Sequence, residues 1–137
     1  YLWDPAKGQI DLRAFEGIDA VINLAGENIF SGRWTEAKKK SILDSRVAAT
    51  RVLVSAICSL TSPPKVLIQT SAVGFYGDLG DQICDEKTLA GDGFLSEVCQ
   101  EWEKACEPAA EAGIRTVVFR FGLVLGVEGG ILRAVLP

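Results

Sequence analysis

Three short β-branched runs, set apart by two much longer stretches of helical periodicity, constrain this 137-residue chain more than anything else in it. The runs cover residues 18–24, 65–71 and 116–121. Each is almost continuously apolar, the pattern of strands covered on both faces. Between the first two, apolar residues recur at Leu43, Val47, Val54, Ile57 and Leu60, with lysines and arginines on the other side. That spacing predicts a helix over residues 34–60, opened by Thr35-Glu36 and stopped by Ser62-Pro63-Pro64. Between the second and third, Phe94, Val98, Trp102, Ala105 and Ala109 share one face of a helix expected over residues 92–112. Gly113 suits its carboxyl cap, and Pro108 is expected to kink it.

Strand, helix, strand, helix, strand builds a parallel sheet with right-handed crossovers, and hence one doubly wound α/β domain. Only a short helix over residues 12–16 precedes the first strand, so a further βαβ portion is expected upstream of Tyr1. The chain opens on tyrosine, holds no methionine, and stops at residues 134–137 in what reads as the start of a helix. Both ends are therefore expected to be cuts in a longer chain. The isolated piece, lacking strands that flank its sheet, is expected to be aggregation-prone. Residues 77–91 form the one long irregular stretch, acidic and glycine-rich, of a length that suits a functional loop.

Composition narrows the chemistry. Histidine is absent, so no Ser-His-Asp or Cys-His system and no His-containing zinc site can be assembled from these residues, and no metal is expected. The four cysteines form no C-x-x-C pair, and Cys99 and Cys106 fall on one helical face, where a disulfide closes poorly. Free thiols in a reducing cytoplasm follow. A net charge of −4 argues against a nucleic-acid partner, and Lys38-Lys39-Lys40 reads as a solvated helix face. No apolar run approaches the ~18 residues of a membrane helix.

In a doubly wound sheet, ligands bind beyond the carboxyl ends of the strands. The first run ends Asn23-Leu24-Ala25-Gly26-Glu27, whose small residues admit a cofactor close to the backbone. An ordinary strand-end turn explains them equally. The second ends Thr70-Ser71-Ala72-Val73-Gly74-Phe75-Tyr76-Gly77, with three hydroxyls expected on one rim. Ser71 and Tyr76 there are the candidate catalytic pair, since such groups polarise a carbonyl or relay a proton without histidine. Capping and turn chemistry is the alternative for these residues. The third ends Arg120-Phe121-Gly122-Leu123-Val124-Leu125-Gly126, again small residues beside an aromatic.

These strand ends, together with Trp3-Asp4-Pro5, Arg33-Trp34-Thr35, Asp44-Ser45-Arg46-Val47 and Trp102-Glu103, occur in the order seen in one family. The chain resembles the extended short-chain dehydrogenase/reductase superfamily, within it the atypical epimerase-family, nucleoside-diphosphate-sugar-epimerase-like branch. The resemblance implies a Rossmann-type, three-layer α/β/α NADP(H)-binding domain, with these three strands the fourth to sixth of the sheet. It places the family's glycine-rich phosphate loop before Tyr1 and a substrate domain after Pro137. On matching positions it puts Leu24, Ala25 and Gly26 against the cofactor's ribose and pyrophosphate, and Ser96 near the nicotinamide. Arg46 then reaches a cofactor phosphate or the site's water, or serves a structural salt bridge.

One departure stands out. The family's usual Tyr-x-x-x-Lys aligns with Phe94-Leu95-Ser96-Glu97-Val98, and phenylalanine and valine can neither move a proton nor supply a charge. Ala72 likewise replaces the usual Ser or Thr. The expectation is an NADP(H)-dependent oxidoreductase or epimerase-like protein acting on a carbonyl or sugar-nucleotide-like small molecule. Its proton would come from Tyr76 or Ser71, with Glu27 or Glu97 as nearby carboxylates, or from water. The alternative is a non-catalytic NADP(H)-binding redox sensor or partner-binding module.

Overall fold

Each β-branched run becomes a strand, and the three pair in parallel in the order in which they occur. The computed structural model describes residues 1–30 and 32–126. An antiparallel pair, β1 (Trp3–Asp4) and β2 (Gln9–Ile10), opens the chain. The sheet follows as β3 (Ala20–Asn23), β4 (Val66–Ala72) and β5 (Arg115–Phe121). Helix α1 (Glu36–Cys58) links β3 to β4, while α2 (Phe94–Lys104) and α3 (Glu107–Glu111) link β4 to β5. The pairing sets Asn23 beside Gln69, Ser71 beside Arg120 and Ala72 beside Phe121, so the three strand ends form one rim.

Sequence chemistry accounts for most of the boundaries. The Thr35 hydroxyl accepts from the Lys38 amide at 3.2 Å and so starts α1. The helix expected over residues 92–112 is instead two helices with a turn at Ala105 and Cys106. Proline cannot donate to the carbonyl four residues back and its ring collides with it, and α2 ends at that residue, Lys104. Pro108 falls in the first turn of α3, where the lost N–H costs nothing. The short helix expected over residues 12–16 is a 3-10 turn at Leu12–Phe15. The β1–β2 pair went unforeseen because two-residue strands carry no periodicity. The stretch at residues 134–137 lies outside the described residues.

The helices cover one face of the sheet. Leu67 from β4 packs with Leu53, Val54 and Ile57 of α1, with Cys106 and Ala109, and with Ile114, all buried. Each such aliphatic contributes on the order of 1.5–3 kcal/mol. Coverage on both faces, expected from the apolar runs, is not present among the described residues. On β4 burial alternates: Leu67, Gln69 and Ser71 are buried, their neighbours only half so. On the far face Ile22 is 61% exposed, Phe119 46% and Phe121 44%.

Candidate functional site

The rim is held rigid from below by a buried polar network. Asn23, the last residue of β3, donates its amide nitrogen to the Thr50 hydroxyl at 3.0 Å and to the Gln69 side-chain carbonyl at 2.9 Å. The Thr50 hydroxyl also accepts from the Trp102 indole at 3.0 Å, which ties α1 to α2. Asn23 Oδ1 then accepts from the Ala25 amide at 3.2 Å and fixes the chain as it leaves the sheet. Asn23, Thr50 and Gln69 are all fully buried, and every buried side-chain polar atom among the described residues has a partner. The sequence carried a signal for this network: three amide and hydroxyl groups set at otherwise apolar core positions.

Beyond β3 the loop is clamped by Arg46. Its guanidinium donates to the Glu27 carbonyl at 3.0 Å and to the Ile42 carbonyl at 3.1 Å, and lies 5.1 Å from the centre of the Trp102 ring. Burial pulls its pKa below the ordinary arginine value. A side chain at Gly26 would place its Cβ 3.1 Å from that guanidinium carbon, so glycine is what allows the close approach. Among the described residues Arg46 thus forms no carboxylate salt bridge and grips backbone. The Glu27 carboxylate pairs with Lys38 and accepts from the Ser41 hydroxyl. Those two contacts hold it below the usual glutamate range. Leu24 is exposed, and with Ala25 it borders a separate shallow groove of about 280 Å³ beside Ile22.

At the end of β4 the expected convergence of hydroxyls does not occur, because neighbours on a strand point to opposite faces. The Thr70 hydroxyl donates back to the Asn23 carbonyl at 2.6 Å. Ser71, buried on the helix side, donates to Glu103 at 2.6 Å. Glu103 also accepts two bonds from Arg120, at 2.9 and 2.8 Å, and Arg120 donates to the Tyr76 hydroxyl at 3.0 Å. Arg120 lies 3.4 Å from the Phe75 ring centre, and this bidentate pairing pushes its pKa further up. Ser71 and Tyr76 are therefore joined, but through the Arg120–Glu103 pair.

The long loop over residues 77–91 is pinched shut at its base. A Cβ on Gly91 would fall 2.1 Å from the Tyr76 carbonyl oxygen. Gly77, opposite it in the pinch, has φ +66° and ψ −151°, a positive-φ conformation that only glycine adopts readily. Ser96 staples this base to α2: its hydroxyl lies 2.7 Å from both the Phe75 and Gly91 carbonyls and accepts from Gln100 at 3.2 Å.

Above the rim lies a cleft of about 570 Å³, walled by the ends of β4 and β5, the first turns of α2, and the segment between β3 and α1. A larger depression, about 1020 Å³, lies along the outer side of α1, away from the strand ends. Among the residues singled out in the sequence, Arg46, Ala72, Val98 and Phe121 line the cleft, together with several from the quoted motifs such as Trp34, Gly74, Trp102 and Gly122. Ser71, Tyr76, Ser96, Leu24, Ala25, Gly26, Glu27 and Glu97 do not. Phe94 opens α2 and packs edge-on against Trp34, ring centres 5.7 Å apart. Cys99, absent from the candidates, sits in the wall with its sulfur 3.7 Å from the Ala72 carbonyl, and burial raises its pKa.

The fold and the sequence both have counterparts among known proteins. Residues 8–136 match the NAD dependent epimerase/dehydratase family. The chain belongs to that family. An epimerase family protein of Mycobacterium bovis is 44% identical over 98% of the chain, and one of Bacillus subtilis 45% over 88%. The chain spans 44% and 40% of the length of those two relatives. Two solved structures superpose at a TM-score of 0.81 with 36% identity. One is the nucleoside-diphosphate sugar epimerase of Corynebacterium glutamicum, matching 97% of this chain and 27% of its own. The other is the human epimerase family protein SDR39U1 with NADPH, matching 88% and 41%. The Rossmann-like parallel sheet of this epimerase-family chain, incomplete on its own, is thereby shown. Among the described residues no helix is long and apolar enough to cross a membrane.

Proposed function

We propose that this chain forms the nicotinamide-side wall of an NADP(H) site in a longer, cytoplasmic protein, an oxidoreductase or epimerase working without Tyr-x-x-x-Lys. The carrying observation is the cleft itself, placed beyond the carboxyl ends of β4 and β5 where such folds bind their ligands. Its fit to a flat nicotinamide is good: the floor is Ala72, Val73 and Gly74, with Phe121 and Gly122 alongside. Arg46 is the group on hand for a phosphate or ribose, with two of its five N–H donors already engaged. The glycine-rich phosphate loop and a substrate domain belong, on this reading, to residues outside the 137. The human relative solved with NADPH supports the cofactor and its phosphorylated form. The bound nicotinamide would supply hydride chemistry, and this chain's residues would orient it and keep water from one side. The substrate is a small carbonyl or sugar-nucleotide-like molecule.

One observation favours the non-catalytic alternative. Ser71 and Tyr76 are engaged by Glu103 and Arg120 and do not line the cleft, while Phe94 and Val98 replace the usual pair. The test loads the whole protein with NADPH and follows the reduced-nicotinamide absorbance against a panel of carbonyl compounds and sugar nucleotides. Turnover lost in Tyr76→Phe or Ser71→Ala supports the enzyme. Tight NADPH binding with no oxidation by any compound supports the sensor.

A further inference from the structure

Glu27, expected from the sequence as a carboxylate near the proton source, has every polar atom engaged by α1. Its amide donates to the Ser45 hydroxyl at 3.0 Å, and its carbonyl accepts from Arg46 at 3.0 Å. One carboxylate oxygen accepts from the Lys38 ammonium, the other from the Ser41 hydroxyl. Ser45 and Arg46 are fixed in turn, each donating to the Ile42 carbonyl, at 3.0 and 3.1 Å. Lys38, Ser41 and Ser45 recur at the spacing of one helical stripe, and Arg46 adjoins it. Lys38 is thereby drawn out of the basic run: its side chain is 15% exposed, against 34% for Lys39 and 74% for Lys40.

These contacts suit a support better than an acid or base. Lys38 and Ser41 favour the ionised carboxylate, which has no proton to give. As a base it is turned toward α1, and it is not among the residues lining the cleft. What it supports is the wall itself. Residues 24–30 and 32–34 form no helix or strand, so side-chain contacts set their course. Asn23 fixes this segment at the Ala25 amide, and Glu27 fixes it next, just before Ile29, Phe30 and Trp34 enter the cleft wall. The Trp34 indole donates back to the Ile29 carbonyl at 2.8 Å, so a shift at Glu27 carries all three side chains with it.

We infer that Glu27 is a positioning residue, the anchor that sets the segment between β3 and α1 as one wall of the cofactor cleft. The inference rests on the NADP(H) reading above. Titrating the whole protein with NADPH, followed by the cofactor's own fluorescence, tests it at a temperature where every variant is folded. Glu27→Ala is expected to weaken NADPH about tenfold or more, since small displacements of a binding wall are costly. Glu27→Gln keeps an acceptor for Lys38 and offers its amide to the Ser41 oxygen, so affinity should return to within about threefold of the parent. Ser41→Ala, a milder loss, should weaken NADPH about threefold in the parent and add nothing to Glu27→Ala, as two groups acting through one contact do. Hydrogen exchange of the cofactor-free protein gives a second readout: residues 24–30 of Glu27→Ala should exchange about tenfold faster, with β4 and β5 unchanged. NADPH affinity of Glu27→Ala within about twofold of the parent overturns the inference, as does a Glu27→Gln variant that loses as much as alanine. Should the parent itself fail to bind NADPH, the cofactor reading falls, and exchange alone decides the anchor: unchanged rates at residues 24–30 overturn it.

Discussion

Replacing Thr50 by valine removes one oxygen from the centre of the rim's support while leaving the volume nearly unchanged. Thr50 is fully buried, and its hydroxyl accepts two bonds, from Asn23 and from Trp102, both at 3.0 Å. Asn23 keeps its second bond to Gln69, so the variant strands one amide hydrogen and one indole N–H. Each buried donor left unpaired costs about 1–3 kcal/mol, so the loss is about 2–5 kcal/mol after modest relaxation. Against a typical stability of about 5–15 kcal/mol this is a large fraction. In urea, with a slope of about 2–3 kcal/mol per molar, the midpoint falls by about 1–2 M at unchanged slope. Thr50→Ser keeps the oxygen and loses only a methyl, so it should retain most of the stability. The assay is urea unfolding of the whole protein, followed by tryptophan fluorescence and by circular dichroism together. A valine variant within about 0.5 kcal/mol of the parent refutes the network's role, as does a serine variant that loses as much as valine.

Four further outcomes are expected. Gly91→Ala drives a Cβ into the Tyr76 carbonyl, 2.1 Å away, so the pinch must open; the loss is about 2–4 kcal/mol, and limited proteolysis should cut faster within residues 77–91. Lys38 and Ser41 hold Glu27 ionised below the usual glutamate range. Its contribution is therefore present above the unfolded value, about 4.3, and lost as pH falls through the lower folded one. In Lys38→Met, stability measured from pH 7 to pH 3 should fall less steeply across that window. Native alkylation near neutral pH should label Cys58 and Cys84, which are exposed, and spare Cys99 and Cys106; burial pushes the Cys106 thiol up to about 11. Labelling of all four at equal rates, without unfolding, would contradict that placement. Residues 1–137 alone, with the Ile22, Phe119 and Phe121 face bare, should self-associate; a monodisperse monomer with a cooperative thermal transition would refute this.

Where periodicity extended over many residues, the sequence was legible. Helix α1 falls inside the expected 34–60 because apolar residues repeat through six turns, and each β-branched run gave its strand within two residues or less at most ends. Pro108 was recognised as a disturbance, but whether it kinks or ends a helix depends on what packs on the far side, which periodicity does not encode. Ala105, Cys106 and Ala109 are buried beside it. The site was less legible for a related reason. Ser71 and Tyr76 were singled out as hydroxyls at a strand end, yet a hydroxyl's role depends on its partner. The partner, Glu103, lies 32 residues away on a helix facing Ser71. Arg46 is expected from its sequence position to reach a cofactor phosphate, the site's water or a salt bridge, but its grip on the Glu27 carbonyl leaves no trace in residue type or spacing.

The proposed absence of a Tyr-x-x-x-Lys pair and the apolar cleft bear on one another. A lysine in the place of Val98, which is 3% exposed and lines the cleft, would put a charge among Leu95, Trp102 and Val73. Such a charge is tolerable only beside hydroxyls and carbonyls that satisfy it. Those hydroxyls exist in this chain but are committed: Ser71 to Glu103, Tyr76 to Arg120, Ser96 to the base of the loop. Phe94 in turn packs on Trp34 rather than opening toward the strand ends. Val98 is therefore a member of the cleft's hydrophobic wall, and Phe94 backs that wall through Trp34. Restoring the pair as Phe94→Tyr with Val98→Lys should not create a proton relay here. It should lower stability, the opposite of what a site that had merely lost two residues would show.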